Sequence, residues 1–172
     1  SWQSMALECM QATTFTNSFK IVDMYRATQV PAPGQVLLYD EKIARAREIG
    51  KNVMEALNTK PEERKWLGDP DYGWCPNCHS NSLCLGEPQW KGLQYPIECT
   101  VCGAGGDLER TPDGKWEFVI AANGLERDRT TEEGRGVHCD EIAETQGGFF
   151  MDTKKREEVA AKLPKYKELK FP

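Results

Sequence analysis

Four cysteines stand in two pairs of C-x-x-C spacing, Cys75/Cys78 in CPNC and Cys99/Cys102 in CTVC. Thiolates at this spacing point two sulfurs at one spot from a single tight turn, and two such turns brought together enclose one metal ion. The 20 residues between Cys78 and Cys99 are enough for an out-and-back pair of strands that joins the turns. Gly103, directly after the second pair, permits the positive φ that such a turn uses. Four thiolates leave no open position for water, so the expected role is a structural staple holding zinc, not hydrolysis. An iron–thiolate site, which would carry electrons, is the alternative. With seven cysteines in all, the odd count argues against a closed disulfide framework and for metal thiolates with a few free thiols in a reducing cytoplasm.

Other reactive residues carry less. Cys84 lies between the pairs and reads as a core or free thiol. His79 reads as a solvated neighbour of the metal. His138 and Cys139 in GVHCD could pair a base with a nucleophile, but adjacent residues usually point apart, and no catalytic residue is assigned. The segment from about residue 72 to 120, with CPNC–HSNSL and IECTVCGAGGDL, resembles the zinc-ribbon family, which implies that Cys75, Cys78, Cys99 and Cys102 are its ligands. A rubredoxin-like iron site is disfavoured because His79 stands where such knuckles usually carry glycine. The ribbon's few basic residues, Lys91, Arg110 and Lys115, are outnumbered by acids, and the whole chain has a formal net charge of −5. A nucleic-acid partner is therefore not expected, although Trp74, Trp90, Tyr95 and Trp116 could stack on bases.

The elements that must position these residues follow from periodicity. The chain has 172 residues, 39% hydrophobic and 28% charged, suited to one domain or two small ones, with no run long enough to span a membrane. Trp2, Met5, Ala6, Cys9, Met10 and Thr13 predict a helix over 2–15 with an apolar stripe. Phe19, Ile21, Val22, Met24 and Tyr25 predict a buried strand. The pattern over 40–57 predicts a helix with Ile43, Ala46, Ile49, Val53, Met54 and Leu57 on its apolar face and Arg45 outside it. Gly50, costly in a helix interior, suggests close packing against a sheet. Residues 59–73 read as a linker, 74–120 as a β-rich ribbon ending in a hairpin around Pro112–Gly114, and 121–172 as a loop-rich tail. In that tail, 121–150 reads as a loop and 152–163 as a final helix capped by Asp152 or Thr153. A helix–strand–helix unit cannot cover its own apolar faces and needs more sheet to lie on.

Residues 1–58, with the run DEKIARAREIGKNVMEAL, resemble the C-terminal part of the NAD(P)H-dependent FMN reductase family, whose fold is flavodoxin-like. The resemblance implies an α/β remnant: Trp2–Phe15 as a helix, Lys20–Tyr25 as the last strand of a doubly wound sheet, and Asp40–Leu57 as the closing helix. It also implies an FMN-dependent oxidoreductase whose N-terminal part, including the flavin phosphate loop, lies elsewhere or on a partner chain, in an oligomer. Only Trp2 and Gln3 would approach the flavin. The competing expectation is a zinc-ribbon protein-interaction module without catalysis.

Overall fold

The computed structural model describes residues 5–85 and 95–167. Trp2 and Gln3, the two residues expected near a flavin, lie outside them. The described part is mixed α/β: four α-helices and one four-stranded antiparallel sheet around a buried four-cysteine cluster. The strands are β1 (Leu83–Leu85), β2 (Ile97–Cys99), β3 (Gly105–Arg110) and β4 (Trp116–Ile120), neighbours in chain order. The expected hairpin is β3–β4, with Leu108 opposite Phe118 and Arg110 opposite Trp116. Phe118, Ile97, Val101 and Ala104 bury their side chains with the cysteines.

Helix α1 (Ala6–Thr16) forms where expected, but turns the other way. Its buried residues are Glu8, Gln11 and Phe15, spaced i, i+3 and i+7, while Met5 and Met10 are 66% and 64% exposed. The reason lies in what the helix meets. Gln11 Nε2 donates to the Cys78 carbonyl at 2.6 Å, and Glu8 Oε1 accepts from the Asn81 amide at 3.1 Å. The turn around the first cysteine pair presents bare backbone polar groups, which must be paired when buried. Phe15 then joins the core of the cysteine cluster.

Helix α2 spans Asp40–Leu57, as the periodicity predicts, and shows a partial reversal, since Ile43 and Ile49 of the expected apolar face are half-buried. Arg45 and Asn52 face the body of the chain, and Ala56 is its buried residue. Val53, Met54 and Leu57 are 42%, 58% and 62% exposed. A Cβ added at Gly50 would meet nothing within 4 Å, so the close packing expected there is not made within the described residues. What holds α2 is an ionic hub. Asp23, whose side chain is 0% exposed, accepts from Arg45 Nη1 at 2.8 Å and Asn52 Nδ2 at 2.7 Å, and also from Arg45 Nη2.

The strand expected at 20–25 does not form. The segment buries Val22 and Met24, but pairs with no strand among the described residues. It is pinned instead by side chains and by the Leu67 amide, which donates to the Val22 carbonyl at 2.7 Å. An apolar, β-branched run becomes a strand only beside another strand.

A further correction falls in the tail. Only the first part of 121–150 is a loop; α3 spans Glu132–Phe150. Thr131 caps it by accepting from the Gly134 amide at 3.0 Å, with Glu132 and Glu133 in the first turn, where the helix dipole favours acids. Helix α4 spans Thr153–Lys167, and of the two candidate caps Asp152 acts, its Oδ1 accepting from the Lys155 amide at 3.1 Å.

Candidate metal centre

The two cysteine turns are built alike. After Cys75 the chain turns so that the His79 amide donates to the Cys75 carbonyl at 2.8 Å; after Cys99 the Gly103 amide donates to the Cys99 carbonyl at 2.9 Å. In each the residue after the pair is left-handed, His79 at φ 58° and Gly103 at φ 81°. Glycine adopts this freely, whereas histidine pays a steric cost that its surroundings must offset. They do so by burial. His79 is 9% exposed, its ring stacks on Trp66 with centroids 3.9 Å apart, and its Nδ1 lies 3.0 Å from the Tyr72 carbonyl. It is thus not the solvated neighbour the sequence suggests. Burial pushes the imidazole below its ordinary 6.5, which keeps it neutral at pH 7 with Nδ1–H donating to Tyr72.

The turns bring Cys75, Cys78, Cys99 and Cys102 together, all buried, with their sulfurs within 4.8 Å of one another. Cys75 Sγ lies 3.6 Å from Cys102 Sγ, and Cys78 Sγ lies 3.5 Å from Cys99 Sγ. Four bonds of about 2.3 Å to a tetrahedral zinc would place sulfurs about 3.8 Å apart. The cluster therefore has the size of one tetrahedral ion, and the four buried cysteines could hold one. All seven cysteines are unbridged. A bound cation would favour the thiolate form at every position.

The surroundings are supplied by three parts of the chain. Helix α1 contributes the Gln11 bond to the Cys78 carbonyl. The loop before the first pair folds back, with the Cys75 amide donating to the Ser80 carbonyl at 3.0 Å. The tail loop covers the second pair, where the Arg129 amide donates to the Cys102 carbonyl at 2.8 Å. Sequence reasoning did not single out Glu8, Gln11 or Arg129. The i, i+3, i+7 spacing of Glu8, Gln11 and Phe15 was the available signal, masked by the stronger apolar stripe beside it.

The weaker candidates stay apart. Cys84 sits on β1 opposite Glu98 and is not part of the cluster. His138 and Cys139 lie on α3; Cys139 is exposed, and His138 Nδ1 is 3.7 Å from Glu141, so no dyad is assembled. Among the described residues, no helix is long and apolar enough to cross a membrane.

The chain is 30% identical over 124 residues to the flavone synthase cfoJ of Aspergillus candidus. The matched region is 72% of this chain and 36% of that protein, so the chain spans about a third of the length of the relative it matches and is a distant, partial homologue of it. No protein-family profile matches the chain. No solved structure matches it.

Proposed function

We propose that this chain is the C-terminal portion of a flavin-dependent oxidoreductase, in which Cys75, Cys78, Cys99 and Cys102 hold a structural zinc ion. The observation that carries the reading is the 124-residue similarity to a flavone synthase of which the chain spans only 36%. The front of the chain supports it. Met5 just before α1, Met10 on α1, and Val53, Met54 and Leu57 on α2 are turned to solvent. Soluble proteins seldom leave such faces bare, and in a flavodoxin-like domain a doubly wound sheet would cover them. The 20–25 segment, which buries Val22 and Met24, would then find the neighbouring strand it lacks among the described residues.

In that unit FMN would bind outside the carboxyl ends of the sheet strands, and the flavin would carry the hydride chemistry from a reduced nicotinamide. No described element offers a glycine-rich phosphate loop, so the binding groups would come from the rest of the protein or a partner chain. The four thiolates would stabilise the fold and take no part in the chemistry, because their shell is closed.

The same exposed faces also favour a second reading, a zinc-ribbon protein-interaction module without catalysis. One preparation separates the two. The natural polypeptide carrying this sequence is purified, and its visible spectrum, metal content and NAD(P)H oxidation are measured. A flavin spectrum with one zinc per chain supports the proposal. A colourless, zinc-loaded polypeptide without nicotinamide oxidation leaves the interaction module. A red protein bleached by dithionite would overturn zinc in favour of iron.

A further inference from the structure

Between α1, the turn of the second cysteine pair and α3 lies a cleft of about 460 Å³, a volume within the range of small-molecule sites. Its walls are apolar: Ala12 and Phe15 from α1, Val101 from between the paired cysteines, and Ile142 from α3. Its charged lining residues are Arg129 and Arg135, with His138 beside them, and no carboxylate lines it among the described residues. In a chain of formal net charge −5, a cleft lined by two guanidiniums and no acid is selective by sign.

Both guanidiniums are held in place by hydrogen bonds to backbone carbonyls. Arg129 Nη1 donates to the Val101 carbonyl at 3.5 Å, and Arg135 Nη1 donates to the carbonyls of Arg129 and Thr130 at 3.3 and 3.2 Å. Of the nearby acids, Glu141 pairs with Arg127 at 2.8 Å, and Glu98 feels the charges of both Arg127 and Arg129. A guanidinium anchored at one nitrogen, with no carboxylate in hydrogen-bonding contact among the described residues, is pre-organised for an incoming anion.

We infer that this cleft is a binding site for a small apolar monoanion, an aromatic or aliphatic carboxylate whose ring or chain lies against Phe15, Val101 and Ile142 while its carboxylate meets Arg129 and Arg135. The inference does not depend on the flavin reading, because every wall belongs to this chain.

The test uses the full zinc-loaded chain and two probes of one shape, 2-naphthoate and the neutral 2-naphthalenemethanol, titrated by calorimetry and by amide chemical shifts. Naphthoate is expected to bind one to one and to shift the amides of Thr100, Val101 and α3 rather than those of α2. The alcohol is expected to bind about tenfold more weakly, the weight of one charge-assisted hydrogen bond. Arg135→Gln should remove most of that preference and Arg135→Lys restore part of it, while Ala12→Trp fills the cleft and abolishes binding. Where Ala12→Trp does not fold, Ile142→Trp serves the same purpose. Absence of naphthoate binding, equal affinity for acid and alcohol, shifts confined to α2, or unchanged affinity in the filled variant would each overturn the assignment.

Discussion

Substitution within the Asp23 hub separates two accounts of what holds α2 in place. The helix buries little apolar surface of its own, with Ala56 buried and Ile43 and Ile49 half-buried. Its attachment therefore falls to Asp23, Arg45 and Asn52, with Arg64 Nε donating to the Ala56 carbonyl at 2.8 Å. Asp23→Asn keeps the shape and removes the charge. Arg45, 19% exposed and 3.3 Å from Glu48, can turn to that partner and to water, so the cost is about 2 kcal/mol rather than the full value of a buried pair. Arg45→Met is worse. It strands a carboxylate of 0% exposure with Asn52 as its remaining side-chain donor, and an uncompensated buried charge costs about 3–5 kcal/mol. Because the hub is local, the loss should appear as opening of α2: amide hydrogen exchange over residues 43–57 accelerates about 30-fold in Asp23→Asn and further in Arg45→Met, while the β3 and β4 amides are unchanged. The pH dependence has a fixed sign. Burial raises the Asp23 carboxyl, but hydrogen bonds from Arg45 and Asn52 and the charge of Arg45 outweigh it and carry it below its ordinary 3.8. The unfolded state then binds the proton more readily. The stabilisation is therefore present above about pH 4 and is lost as pH falls through the folded value. Exchange in α2 should accelerate in acid in the parent chain, with no matching step in Asp23→Asn. Unchanged α2 exchange in both variants, or a larger effect from Asp23→Asn than from Arg45→Met, would refute the hub.

Under the proposed zinc site, removal of the metal by a strong chelator, or Cys75→Ser, should melt the sheet and release α1, since structural zinc supplies about 10–16 kcal/mol to modules of this kind; far-UV circular dichroism before and after adding back one equivalent of zinc reads it. Gln11→Ala deletes the bond to the Cys78 carbonyl at 2.6 Å and should cost about 1–2 kcal/mol in urea denaturation and hasten zinc loss to a chromogenic chelator. Gly134→Ala would put a Cβ 2.0 Å from the Asp128 carbonyl oxygen. It should displace the capped start of α3, lowering the thermal midpoint and exposing the Arg129 amide to exchange.

What the sequence conveyed, and what it did not, follows from how far each signal reaches. The four cysteines are a local signal with a geometric consequence, and they meet. The hairpin announces itself through Pro112, Asp113 and Gly114 between alternating residues, and α2 through a sustained 3.6-residue period. Periodicity, however, says which face of a helix is apolar and not what lies beside it. Helix α1 turns its polar side inward, and α2 brings Arg45 and Asn52 inward beside the half-buried Ile43 and Ile49, because the neighbours available among the described residues include backbone amides and carbonyls of the cysteine turn and a buried aspartate. The strand at 20–25 failed for a related reason, since strand formation depends on a partner. Helix α3 was hidden by its glycines: Gly136, Gly147 and Gly148 have open space where a side chain would go, and a helix with so little buried surface shows no apolar stripe.

The placement of α1 bears on how the two ends of the chain communicate. One side of the helix, through Phe15 and Gln11, belongs to the core and hydrogen bonds of the cysteine cluster. The other side, with Met5 and Met10, is bare. Whatever covers the bare side touches the same rigid element that closes over the first cysteine turn, with no flexible linker between them. Covering that face stabilises the docked helix by mass action, and a docked helix protects the Cys78 carbonyl and its turn. By linkage, metal retention and occupancy of the apolar face must favour one another. A ribbon joined only through residues 59–73 would lack this coupling. Met10→Glu therefore distinguishes the two arrangements: in the natural polypeptide it should speed metal release although residue 10 touches no ligand, and an unchanged release rate there would show that the cysteine cluster stands alone.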